Sequence, residues 1–288
     1  MLAIPEREPS ASRWATRAAL FAFGMILAAA FLHRLFGMPT AVAFNLFLAA
    51  MLVAGLSIAC SAVAAAIIWQ TGRPGTARVL FAVCLSLALL SIPLLYTMWV
   101  RNYPHLHDIT TDFENPPAFN AIARLRGPGD NPVAYDRVNE ADEQARAYPD
   151  IKPMQIARSS DEAFALVVDA MKRLKLEIVR EDAPDPEAGT PGEIEAVDRS
   201  LIMGSYQDAV IRVAGGEESA RVDIRLASRF GRADMGYNAE RVRELAKEIQ
   251  ARVDATMPTA ADEAKRAKPE KAGGPKSENR RKSRARAQ

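Results

Sequence analysis

Asp108, Thr110, Thr111 and Asp112 place two carboxylates and two hydroxyls within five residues, and much later Asp223, Arg225, Ser228, Arg229, Asp234, Asn238 and Arg241 gather a second polar group. Paired carboxylates can exchange protons with a substrate, and guanidiniums grip anions through two parallel N–H bonds. These eleven residues are the candidate ligand-binding set. Local spacing gives no reason for the two groups to meet, so no catalytic residue is assigned. Ser228 has no histidine close in sequence to activate it as a nucleophile. His105 and His107 are the only histidines in this half of the chain. A His-x-His spacing puts both rings on one side of an extended strand, where Asp108 or Asp112 would complete a metal site. That is a weak pattern, and the sequence implies no metal or other cofactor.

The elements that position these residues follow a membrane region. Residues 18–100 hold three apolar runs. Ala18–Leu32 continues through His33 and Arg34 to Met38, Ala41–Trp69 has no charge, and Val79–Val100 contains Pro93. Each suits a bilayer core of about 30 Å, and a proline is tolerated there as a kink. Arg7, Arg13 and Arg17 ahead of the first run also suit a signal peptide, but the two runs that follow favour a retained helix. No ionisable residue occupies the middle of a run, which argues against a coupled transporter. Gly55 and Ala59, four apart, predict a close helix–helix contact. Arg7, Arg13, Arg17, Arg73 and Arg78 fall on one side of the spans, whereas Arg34 and Arg101 fall on the other. The positive-inside rule then gives a cytoplasmic N-terminus and an exported C-terminal domain. Cys60 and Cys84 lie within the spans and say nothing of compartment.

After the N-terminal tail (1–17) and the membrane region comes a proline-rich extended segment (101–158), with short helices expected over Ala118–Arg126 and Asn139–Ala147. The core (159–256) opens on Ser159-x-x-Glu162, a capping box. Phe164, Val167, Val168, Met171 and Leu174 then recur at helical spacing. Leu176–Arg180 and Ile194–Val197 read as strands. Ala209–Ala214 and Ser219–Leu226 form a hairpin around Gly215–Glu218. That loop sets Arg212 opposite Arg221 and Asp208 opposite Arg225, with one apolar face and one charged face exposed to solvent or to an anion. Asn238 caps a last helix, Asn238–Val253. The fold expected is α+β: three N-terminal transmembrane helices, then a four-stranded antiparallel sheet with two packed helices. Residues 257–288 carry ten basic against four acidic residues and read as a disordered basic tail, suited to anionic lipid headgroups.

Asp108–Asp112 with Asn115–Phe119, Tyr148–Pro153, Ile194–Val197, and Asp223–Arg229 with Gly231, Asp234, Gly236 and Asn238–Arg241 together resemble the domain of unknown function 1499 family. The resemblance implies a bacterial membrane-associated or envelope protein, often with N-terminal spans, and no established reaction. Two places depart from the family pattern. A Phe-x-Asp-Asp block reads Tyr206-Gln-Asp-Ala209, and the first serine of an Arg-Ser-x-Ser-Arg block is Leu226. A chemistry that needs those side chains is lost or altered here.

The sequence therefore predicts a multi-pass inner-membrane protein whose soluble domain is periplasmic and has a structural or interaction role. Its expected partners are membrane lipids and either another envelope protein or an anionic ligand, with no nucleic acid. A headgroup-binding module is the alternative, and a hydrolase-like enzyme the third reading.

Overall fold

A computed structural model describes residues 7–200 and 204–256; the basic tail lies outside the described residues. Three helices are long and apolar enough to cross a membrane: α1 (Ser10–Phe36), α2 (Thr40–Thr71) and α3 (Thr76–Val100). α1 starts well ahead of Ala18, directly after Pro9, so Arg13 and Arg17 ride on the helix. The buried seam consists of small residues: Ala15, Ala19 and Ala22 of α1; Ala50, Ala54, Ser57, Ser61 and Ala64 of α2; and Ala82 and Ser86 of α3. Small side chains let the backbones approach, and the Ser57 hydroxyl donates to the Ala15 carbonyl at 2.9 Å. Gly55 and Ala59 do not take part. They face outward on α2, because the seam follows the neighbouring stripe.

The soluble domain is an antiparallel sheet of six strands, where the sequence suggested four. The strands are β1 (Asp108–Thr110), β2 (Met154–Ile156), β3 (Glu177–Asp182), β4 (Gly192–Arg199), β5 (Tyr206–Gly215) and β6 (Ala220–Ser228). Their order is β1-β6-β5-β4-β3, and β2 lies beside β1 on the same edge of β6. α5 (Ser160–Arg173) begins as the capping box predicts, with the Ser159 side chain accepting from the Glu162 N–H at 3.2 Å. α5 and α6 (Tyr237–Ala255) cover one face. Phe164, Val167, Met171, Val242, Leu245 and Ile249 meet Ile109, Ile194, Ile211, Val222, Ile224 and Leu226 there.

The hairpin keeps its predicted faces but slides by two residues. Gly215 is still in the strand, opposite Ala220, so Arg212 faces Asp223 and Val210 faces Arg225. A Cβ on Gly215 would lie 2.3 Å from the Ser219 carbonyl oxygen, a close approach that only glycine allows. The like-charge opposition of Arg212 and Arg221 is therefore absent, as is the opposition of Asp208 and Arg225.

The second face of the sheet is not solvated. The chain between β1 and α4 (Arg137–Ala147) crosses it, packing Phe119 and Ile122 onto Val197, Val210 and Ala227. The helix expected over Ala118–Arg126 shrinks to a 3-10 turn, Ile122–Leu125. Prolines precede it, and the N–H groups of Asn120, Ala121 and Ile122 all point to the buried Glu195 carboxylate. α4 starts earlier than Asn139 because Asp136 caps it, accepting from the Asn139 N–H at 3.2 Å.

Candidate functional site

Alternation along β1 and β6 turns Asp108, Thr110, Asp223 and Arg225 toward the second face, beneath the crossing segment. Arg225 grips Asp108 with two donors, Nε to Oδ1 at 3.0 Å and Nη2 to Oδ2 at 2.6 Å. It also donates to the carbonyls of Pro117 (2.9 Å) and Val133 (2.8 Å), and its guanidinium carbon lies 4.6 Å from the Phe119 ring centroid. The two side chains are only 3% and 1% exposed, which leaves the guanidinium no free edge for a ligand.

A second group centres on Asp112. Its Oδ1 accepts from the N–H groups of Glu114 and Asn115, both at 3.0 Å. Its Oδ2 receives Arg212 at 3.1 Å and Arg221 at 2.9 Å. Asp223 bridges the same two guanidiniums at 2.9 and 3.0 Å. Burial opposes ionisation of Asp112, but the Asn115 and Glu114 N–H groups and the charges of Arg221 and Arg212 outweigh it, holding the carboxyl below its ordinary range. The anion that two adjacent arginines would attract is supplied by the chain itself.

Asp208 sits between Arg126 at 2.8 Å and Arg229 at 2.7 Å. Glu195 takes three backbone N–H groups and Arg180; burial again opposes its charge, and these donors still keep its pKa below the usual value. Thr111 serves the backbone, its Oγ1 accepting from the Ile224 N–H at 2.9 Å, while the Thr110 hydroxyl bonds the Asp112 carbonyl at 3.2 Å.

Nearer α6, Asn238 is not the cap. Gly236 is, and the Asp234 carboxylate takes the N–H groups of Gly236 (2.9 Å) and Asn238 (2.7 Å). Burial pushes Asp234 up to about 6. The Asn238 amide holds the His107 carbonyl at 2.8 Å and the Ser228 hydroxyl at 3.0 Å, so Ser228 is a structural acceptor. Arg241 pairs with Asp198 at 2.8 Å and donates to the Leu174 carbonyl. The histidines go separate ways. The His107 ring bonds Glu140 at 2.6 Å, whereas His105 is exposed and its backbone N–H donates to Glu143. Among the described residues no group of three or more His, Cys, Asp or Glu side chains is placed to hold a metal ion.

The structure thus joins Asp108, Asp112, Asp223, Arg225 and Arg229 in a buried layer of ion pairs, whereas Thr110 and Thr111 bond the backbone and Ser228, Asp234, Asn238 and Arg241 lie apart from it near α6. Sequence reasoning missed Glu195 and Arg126 as members and gave Asp208 the wrong partner, Arg225 in place of Arg126 and Arg229. Glu195 and Asp208 share their strands with other charged residues, Glu193, Asp198 and Arg199 on β4 and Arg212 on β5, so no local spacing singles them out. Residues 108–249 match the family described as "Protein of unknown function (DUF1499)". The soluble domain belongs to the DUF1499 family. No curated protein matches the chain. Among solved structures the chain is similar to norcoclaurine synthase from Thalictrum flavum, in complex with dopamine and hydroxybenzaldehyde. That similarity has 11% identity over 36% of this chain and 85% of that one, with a TM-score of 0.25.

Several of the DUF1499 blocks read from the sequence coincide with the paired layer, since they contain Asp108, Asp112, Glu195, Asp223, Arg225 and Arg229. The two departures from the DUF1499 pattern also meet in space. Ala209 and Leu226 are direct cross-strand partners, both fully buried on the α5–α6 face. An Asp and a Ser at these positions would place a polar pair in that core, and this member fills it with apolar groups.

Proposed function

We propose that this membrane-anchored protein has a structural or interaction role in the bacterial cell envelope, with the DUF1499 domain exported and acting as a rigid scaffold. The observation that carries the reading is the pairing of charges on the second face: Arg225, Arg212, Arg126, Asp108, Asp112, Asp208 and Glu195 all spend their charges on one another, on neighbouring side chains or on the backbone, and of these three arginines only Arg126 keeps a buried nitrogen, Nη2, without a hydrogen-bond partner. The arginine distribution supports export. Arg78 pairs with Glu8 at 2.9 Å, so the N-terminus and the α2–α3 turn share one end, with five arginines, while Arg34 and Arg101 mark the domain end.

One accessible surface for a partner is a groove beside Phe113, lined by Thr111, Ala145, Tyr148, Ile151 and Pro153. It adjoins Val138, an apolar side chain 88% exposed on α4. A photo-crosslinking residue at position 138, activated in intact cells, is expected to trap a discrete protein adduct. An alkaline phosphatase fusion after residue 256 is expected to be active. Inactivity of that fusion, or crosslinks to lipid alone, would overturn the reading. Turnover of a phosphate or carboxylate ester that vanishes on Asp112→Asn would replace it with a hydrolase.

A further inference from the structure

We infer that Arg34 and Arg199 form a binding site for the phosphate of an anionic membrane phospholipid, where the last turn of α1 meets the end of β4. The inference needs only the anchored domain and is independent of any protein partner.

In the last turn of α1, the His33 carbonyl accepts from Arg199 Nη2 at 2.8 Å. Arg199 Nε donates to the Gly204 carbonyl at 3.0 Å, and Arg34 Nη1 reaches the Ser200 carbonyl at 3.3 Å. Gly204, at φ +70°, lies against both side chains. A Cβ there would be 3.2 Å from Arg34 Nη1 and 3.5 Å from Arg199 Nε. Two guanidiniums therefore flank one glycine; their hydrogen-bond partners are main-chain carbonyls, and Arg199 also lies over the Tyr206 ring, 4.9 Å from its centroid. Among the described residues, neither has a carboxylate within ion-pairing distance. The contrast is with Arg126, Arg212, Arg225, Arg229 and Arg241, each held by at least one acid.

The end of α1 offers about half an elementary negative charge against these two full positive ones. The remainder calls for an anion, and both side chains are partly accessible. Position selects its source. Phe230 of the soluble domain packs against Phe44 in the second turn of α2, the rings tilted by 55° with centroids 5.8 Å apart. Trp99 and Tyr103 close the end of α3 as an edge-on pair at the same spacing. Tryptophan and tyrosine at a span's end mark the headgroup level, so the two arginines, at the same end of the helices, lie where lipid phosphates are, and their planar forks match a phosphate's oxygens.

The full-length protein would be placed in nanodiscs of equal phosphatidylglycerol and phosphatidylcholine, released, and weighed by native mass spectrometry. One phosphatidylglycerol per chain is expected to remain. The Arg34→Gln, Arg199→Gln double variant should retain it roughly tenfold less, while Arg101→Gln, at the same depth, should retain it like the parent. Equal retention by the double variant overturns the site. Equal loss in Arg101→Gln reduces it to diffuse surface charge. Displacement of the lipid by inorganic phosphate would assign the site to a free anion and overturn the lipid source. Should the double variant misfold, a double Lys variant keeps the charges without the forks, and partial loss of selectivity is then the supporting result and unchanged selectivity the opposing one.

Discussion

Ile224 and Arg225 are neighbours on β6, yet one turns toward α5 and α6 into an apolar layer and the other toward the crossing segment into a layer of ion pairs. Both are buried, at 0% and 2% exposure. The apolar face gains from removing hydrocarbon from water, which any shape-matched side chains can do. The charged face works differently. Its ions have been desolvated, and each pair recovers that cost only with its partner in place. The difference teaches that the second face is specific but unforgiving: it fixes where a helix-poor segment lies, through contacts that fail singly.

Breaking one partner gives the sharpest test. Arg225→Gln leaves Asp108 buried without its counter-charge and is expected to cost about 3–5 kcal/mol, comparable to the roughly 2–5 kcal/mol expected for Ile224→Ala. The faces separate in the double change Asp108→Leu, Arg225→Met, which should recover most of the loss because no charge remains unpaired. Ile224→Ala leaves a cavity and no unpaired charge, so its recovery requires a neighbouring side chain that refills the volume. Thermal unfolding of the detergent-solubilised chain measures all three, and no recovery in the double variant would show that the pair is not the organising contact.

Glu195→Gln should cost less, about 1–3 kcal/mol, since the amide keeps an acceptor but faces several donors with an NH₂ group. Its acid dependence has a defined sign. Asp112 and Glu195 are depressed in the folded state, so their contribution is present above the ordinary carboxylate range and is lost as pH falls through the folded values. Asp234 runs the other way: raised to about 6, it favours the fold at low pH and loses that advantage as pH rises from about 4 to 6.

His107 tests the rim of the charged layer. Burial works against its charge, and the Glu140 hydrogen bond with the Glu140 and Asp108 charges outweighs burial and the opposing Arg126, raising its pKa above 6.5. Its stabilisation is complete below pH 6.5 and disappears as pH climbs through the raised value. The melting difference between the parent and His107→Gln should therefore be largest near pH 6 and fade toward pH 9; a difference independent of pH would remove the ion pair from the account. Asp150→Asn should have the smallest effect. It breaks the exposed bidentate pair with Arg243, expected to be worth at most about 1 kcal/mol and weakened by added salt.

The apolar face was readable before the structure; the charged face was legible as charged, but its burial and its pairings were not. Helical spacing in α5, the Ser159 cap and the alternation of the hairpin are local signals, and each holds. The two-residue slip at Gly215 arises because a glycine reads as loop whether it turns the chain or merely lets another strand come close. β1 and β2 have three residues each, too few to show a period. Asp108 and Arg225 are 117 positions apart, and no spacing rule connects them. The candidate residues are brought to their places by contacts that leave no periodic trace, and they serve each other or the backbone there.

Gln144 carries a separate consequence. Its buried side-chain amide accepts from the Thr110 N–H at 3.1 Å and donates to the Thr110 carbonyl at 2.7 Å, on the side of β1 away from β6. One residue of α4 thus impersonates an adjoining strand and blunts the sheet margin. Anchored domains diffuse in two dimensions and collide with their margins in a common plane. There, a single amide denies neighbouring copies a place to zip together.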